Sequence, residues 1–150
     1  MELSIKLSIR PTFEQLYMNL AWGVSLRSTC RRLHVGCVIT SADFRDVVTG
    51  YNGGAAGLVN DCDSDEPGKC GCVHAEANAV INCKLPRSVP KVAFVTDLPC
   101  VQCAKYLINL GGVERVVYHR DYRIRDSIKW FQRADIQIES MPDLWKDPMP

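Results

Sequence analysis

No stretch of this chain is apolar for the ~20 residues a membrane-spanning helix needs, which excludes one. The opening MELSIKLSIRPTFEQ is interrupted by Glu2, Lys6 and Arg10 and has neither a continuous apolar core nor a small-residue cleavage site. No signal peptide is read, and the expected compartment is the cytoplasm. Excess charge is missing as well. Eighteen Lys and Arg stand against 17 Asp and Glu, a formal +1, so nothing electrostatic points to a nucleic acid or a membrane. Internal repeats, linkers and low-complexity segments are also lacking. What remains is 150 residues, 47% hydrophobic and 23% charged. That predicts one globular domain over 1–150, with its core at about 12–140 and a proline-broken tail at 141–150.

Against these absences, cysteine is abundant: eight residues, at 30, 37, 62, 70, 72, 83, 100 and 103. A disulfide framework is disfavoured in a reducing compartment, where clustered cysteines more often bind metal. Cys37 and Cys83 lie in apolar periodic stretches and read as small buried hydrophobes. The other six need a chemical reason.

Apolar spacing from Phe13 to Leu26 predicts a helix over 12–29 with Thr12 as its cap. HVGCVIT and DVVTGYN, joined by the polar SADFR, read as a hairpin. A glycine- and acid-rich loop leads to a second helix from about His74 to Lys84. KVAFVT (91–96) is a buried strand. A helix follows Pro99 and stops at Gly111-Gly112. RVVYH is a strand, 124–134 a helix and IQIES a last strand. The order α-β-β-α-β-α-β-α-β predicts an α/β fold, a three-layer α-β-α sandwich on a mixed sheet of about five strands.

Two of these helices begin with metal-ligand types: His74-Ala75-Glu76, and Cys100-Val101-Gln102-Cys103 after Pro99. Two cysteines three apart at a helix start face one point, and an imidazole from a neighbouring helix makes a third ligand. Three protein ligands leave a tetrahedral zinc open to water, as in catalytic sites. The metal brings the pKa of that water from 15.7 to about 7. Glu76, two residues past the histidine, reaches the water and serves as base and then as acid.

H-x-E with P-C-x-x-C is the signature of zinc nucleobase deaminases, and the resemblance extends further. STCRRLHVGCVIT, TGYNGG, CVHAEANAV, PCVQCAKYLINLGGVERVVY and Asp121-Tyr122 resemble the deoxycytidylate (dCMP) deaminase family, within the cytidine deaminase-like superfamily, over about 12–140. The resemblance implies hydrolysis of dCMP to dUMP and ammonia, feeding thymidylate synthesis. It implies that the Ala75 N–H, at a helix N-terminus, holds the ring carbonyl, and that Asn52 contacts the sugar unless it is only a turn residue. Arg27 and Arg32 have family counterparts, and each either grips the phosphate or is a solvated face. Tyr118 sits where relatives border the base, or is a core tyrosine. Some relatives carry a second, structural zinc. Cys30 and Cys62 match its cysteines, and Cys70 and Cys72 would replace histidines of an insertion this chain lacks. A homo-oligomer, hexamer or dimer, and dCTP and dTTP effectors are implied too, although Ala55 stands where the family often has proline.

Two other readings compete. One is deamination of dCTP, cytidine, RNA or a 5-substituted dCMP, with RNA disfavoured by the near-neutral charge. The other is a zinc-stabilised binding module without catalysis, in which Glu76 at that spacing would have no use.

Overall fold

The computed structural model describes residues 10–62, 64, 66 and 69–144. The far end of the proline-broken tail, 145–150, and the opening segment 1–9 lie outside the described residues. Helix α1 (Phe13–Ser25) starts at a capping box: Thr12 Oγ1 accepts from the Gln15 N–H at 3.1 Å, and Gln15 Oε1 accepts from the Thr12 N–H at 3.0 Å. It stops short of the predicted residue 29. After Ser25 the chain tightens, with Arg27 N donating to Val24 O and Ser28 N to Ser25 O. Thr29 N then donates to Asn52 O at 3.3 Å, tying the exit to the hairpin.

Strands β1 (Gly36–Ser41) and β2 (Val47–Tyr51) form that hairpin; α2 (Ala75–Asn82), β3 (Lys91–Asp97), α3 (Val101–Leu110), β4 (Val113–Arg120), α4 (Ser127–Arg133) and β5 (Gln137–Ser140) follow. The element order is the predicted one. The five strands form one sheet in the order β2-β1-β3-β4-β5, antiparallel at β2-β1 and β1-β3, parallel at β3-β4 and β4-β5. The sheet is mixed, as predicted.

Period-two alternation splits the strand side chains between two cores. Val38, Val92, Phe94 and Val117 meet Tyr17, Met18 and Ala21 of α1 on one face. Cys37, Ile39, Ala93, Val95 and Val116 meet Ala75, Ala79, Ala104, Leu107 and Phe131 of the other three helices on the opposite face. Cys37 is fully buried there and Cys83 packs against the same cluster. One helix therefore covers one face and three cover the other.

Two features at the edges of this frame place α2 and the α3–β4 turn. Gly50 has no side chain where α2 crosses β2; a Cβ there would lie 2.3 Å from Ala75 O and 2.4 Å from Ala79 N. Lys91, wholly buried, donates from Nζ to the carbonyls of Pro86, Val89 and Gly111 at 2.7, 2.8 and 2.9 Å.

Candidate active site

The ends of β3 and the starts of α2 and α3 meet at one point. His74 is the N-cap of α2 and Cys100 the N-cap of α3. Both stand at termini whose free N–H groups favour negative charge. Val73 and Gly53 exchange two backbone hydrogen bonds, at 2.7 and 3.1 Å, which draw the approach to His74 against the end of the hairpin. Leu98 and Pro99 lead directly from β3 to Cys100.

His74 Nδ1 lies 3.6 Å from Cys100 Sγ and 3.3 Å from Cys103 Sγ. A tetrahedral zinc with its usual bond lengths, about 2.3 Å to sulfur and 2.05 Å to nitrogen, would place these atoms about 3.5 Å apart. The three ligand atoms lie within 4.8 Å of one another, so the donor set fits such an ion. The hydrogen bond shared with Cys103 holds the Cys100 thiol low, at about 4. The same bond, together with burial, pushes the Cys103 thiol well up. The bond from Cys100 raises the His74 imidazole.

Glu76 lies two residues inside α2 and is 5% exposed. Burial raises its carboxyl to about 7, against opposing contributions from a backbone hydrogen bond and the His74 charge. A carboxyl poised there holds or releases a proton near neutrality.

These groups open into a cavity of about 260 Å³ lined by Arg32, Asn52, His74, Ala75, Glu76 and Cys100, among others. Ala75 is wholly buried at the first position of α2. Asn52 is buried with its amide engaged: Oδ1 accepts from Val35 N at 2.9 Å and Nδ2 donates to Leu33 O at 2.7 Å. It fixes the segment that carries Leu33 and Val35 into the cavity wall.

The other predicted contacts divide. Arg32 lines the cavity. Arg27 instead lies over the Tyr51 ring, 5.9 Å from its centroid, beside a separate cavity along β2 and the GYNG loop. Tyr118 is buried within β4 and is not part of this cavity's lining; Tyr122, two residues past the end of that strand, is. Asp97 and Leu98 also line it and were not read from the sequence as site residues. Their signal was position alone, on the short run from β3 to Cys100.

Cys30, Cys62, Cys70 and Cys72 form a second group whose sulfurs all lie within 4.8 Å. The contacts are 3.9 Å for Cys30–Cys70, 3.6 Å for Cys62–Cys72 and 3.0 Å for Cys70–Cys72. About 3.8 Å is expected between thiolates on one tetrahedral zinc; two contacts match and the C-G-C pair is tighter. The backbone N–H of Arg31, 3.0 Å from Cys62 Sγ, lowers that thiol to about 7. Cys30, Cys70 and Cys72 also form part of the cavity wall. No helix among the described residues is long and apolar enough to cross a membrane.

Residues 11–120 match the family model described as the cytidine and deoxycytidylate deaminase zinc-binding region. ComE operon protein 2 of Bacillus subtilis is 33% identical over 88% of this chain and 72% of its own length. The deoxycytidylate deaminase of Saccharomyces cerevisiae is 32% identical over 87% of this chain, which spans 45% of that relative. Among solved structures, the dCMP deaminase of cyanophage S-TIM5, in complex with dCMP and dUMP, superposes with a TM-score of 0.77 at 30% identity, over 88% of this chain and 98% of that one. With the His-Cys-Cys group and the buried glutamate in place beneath the cavity, the chain belongs to the cytidine and deoxycytidylate deaminases, the zinc-dependent hydrolytic deaminases.

Proposed function

We propose that this chain hydrolyses dCMP to dUMP and ammonia, with His74, Cys100 and Cys103 holding zinc and Glu76 moving the protons. The carrying observation is the buried Glu76 carboxyl beside three convergent ligand atoms at the end of a cavity. Zinc bound there supplies the Lewis acidity that brings the ionisation of water near neutral pH. Glu76 takes a proton from the attacking water and delivers it to ring N3. The water oxygen bonds to C4, the C4–N4 bond breaks, and Glu76 passes a second proton to the amine, which leaves as ammonia. In this reading the Ala75 N–H, at the N-terminus of α2, holds the ring carbonyl. Arg32 serves the phosphate, and Asn52 shapes the sugar side through residues 33–35. Arg27 and Tyr118, set apart from the cavity, act at most indirectly.

The same reading treats residues 1–150 as one deaminase domain acting in the cytoplasm. It assigns Cys30, Cys62, Cys70 and Cys72 to a second, structural zinc that ties Cys62, Cys70 and Cys72 to Cys30 at the exit of α1. Leu26, Leu58, Val59 and Ile81, each at least 70% exposed, support a homo-oligomer, dimer or hexamer. The cavity along the GYNG loop supports dCTP and dTTP as effectors.

The test is ammonia release from dCMP, CMP, dCTP, deoxycytidine and 5-methyl-dCMP, with zinc per chain measured on the same protein. Turnover is expected to be fastest on dCMP and to fall by roughly 10²–10⁴ in Glu76→Gln, with zinc retained. Activity surviving that change sinks the mechanism. Preference for another nucleotide moves the substrate, and a zinc-loaded protein inert on all five is a binding module.

A further inference from the structure

The catalytic cavity contains a second carboxylate besides Glu76, and the mechanism does not use it. Asp97 ends β3, is 6% exposed and lines the cavity, whose only lysine or arginine among the described lining residues is Arg32. An unmasked aspartate in such a wall would repel the phosphate of a nucleotide. Both of its oxygens are occupied. Oδ1 accepts from Arg120 Nε at 2.8 Å; Oδ2 accepts from Arg120 Nη2 at 3.1 Å and from the Thr96 hydroxyl at 2.7 Å. Parallel pairing sets Asp97 opposite Arg120 at the ends of β3 and β4, and Leu98 N donates to Arg120 O at 2.8 Å. The guanidinium is not part of the cavity lining and lies over the Trp22 ring, 4.6 Å from its centroid. Trp22 Nε1 in turn donates to His119 Nδ1 at 3.1 Å, which fixes the indole. A planar cation is thus stacked against α1 and held to the carboxylate at two points, a geometry Lys cannot reproduce.

We propose that Arg120 is a positioning and charge-masking residue: by pairing with Asp97 it cancels a negative charge in the cavity wall and lets the site prefer a phosphorylated nucleotide to the bare nucleoside. This rests on the reading of the substrate as a deoxynucleoside monophosphate. Unit charges about 8 Å apart, roughly the width of a 260 Å³ cavity, repel enough at an effective dielectric near 20–40 to weaken binding roughly tenfold.

The experiment is calorimetric titration of the zinc-loaded protein with dUMP and with deoxyuridine, in the parent, Arg120→Met, Arg120→Lys, Asp97→Asn and the Asp97→Asn/Arg120→Met double variant. Zinc per chain and thermal unfolding are measured on each. Arg120→Met is expected to weaken dUMP roughly tenfold and deoxyuridine less than twofold, with the dUMP deficit shrinking at 0.5 M salt. The double variant is expected to recover dUMP binding, and Arg120→Lys to fall between. Equal losses for both ligands, or a double variant as weak as Arg120→Met, overturns the masking role and leaves a structural clamp. Should Arg120→Met fail to fold, Asp97→Asn decides: it removes the repelling charge, so weaker dUMP binding in that variant overturns the proposal. A parent that binds dUMP with an Arg120→Met variant just as tight overturns masking alone. A parent that binds neither ligand overturns the substrate reading, and masking with it.

Discussion

Replacing Gly50 with alanine tests the link between packing and chemistry at its tightest point. The added Cβ would fall 2.3 Å from the Ala75 carbonyl oxygen and 2.4 Å from the Ala79 nitrogen, both backbone atoms of α2 that no rotamer change can move. Ordinary contact needs at least about 1 Å more, so α2 must shift by that amount relative to β2, or the hairpin must give way. Overpacking of this kind costs about 1–3 kcal/mol, which in a chain of this size lowers Tm by roughly 2–12 °C. The catalytic cost is larger in proportion. His74 caps α2 and Glu76 sits in its first turn, so the shift carries both away from Cys100 and Cys103, which now lie 3.6 and 3.3 Å from His74 Nδ1. A 1 Å misplacement costs about 10²-fold in rate. The assays are calorimetric unfolding, zinc retention against a competing chelator, and turnover. A Gly50→Ala protein that matches the parent in all three refutes the claim that close α2–β2 packing sets the site.

Lys91→Met removes the ammonium that the carbonyls of Pro86, Val89 and Gly111 share; chemical denaturation is expected to show a loss of about 3 kcal/mol or more, and a loss under 1 kcal/mol would mean those carbonyls find other partners. Cys62→Ser is expected to lower zinc from two ions per chain to one by elemental analysis, and two ions in the variant would detach Cys62 from the second site. Asp43 accepts from the Ser41 hydroxyl and the Arg45 N–H at 2.6 and 3.2 Å, and the Ser41 bond is the main reason its carboxyl lies below the ordinary 3.8. Because the folded value is depressed, the stabilisation of this hairpin turn is complete above the unfolded value and lost as pH falls through the folded one. The Arg45 amide resonance should therefore titrate with a midpoint below 3.8; a midpoint at or above that value removes the effect.

What could be read from the sequence is what depends on near neighbours. Thr12, Pro99 ahead of Cys100, and Gly111-Gly112 are signals within four residues of the boundaries they set, and the helices start or stop there. Metal-ligand types at two helix starts could likewise be joined on paper, because a helix N-terminus fixes where its first side chains point. Distant pairing is a different matter. Arg27 and Arg32 are five residues apart in similar sequence, yet the tightened exit of α1 turns Arg27 onto Tyr51, while the Cys30 loop carries Arg32 into the cavity. Period two could not choose between Tyr118 and Tyr122, because the alternation ends with β4 at Arg120 and Tyr122 lies beyond it.

Asp97 and Arg120 mark where local reading stops. They are 23 residues apart, on strands joined by α3, and neither has a local reason to be paired. The parallel register of β3 and β4 sets one opposite the other, and the same register sends the chain from Leu98 towards Cys100 and Cys103. The proposed charge masking and the placement of Cys100 therefore depend on one strand pairing. A slip of that register by one residue would turn Asp97 to the opposite face of the sheet and move the start of the Leu98–Cys100 segment by about 3.3 Å along β4. Charge masking and ligand placement would then be lost together, so the Asp97–Arg120 pair is built into the same register that makes the catalytic site possible.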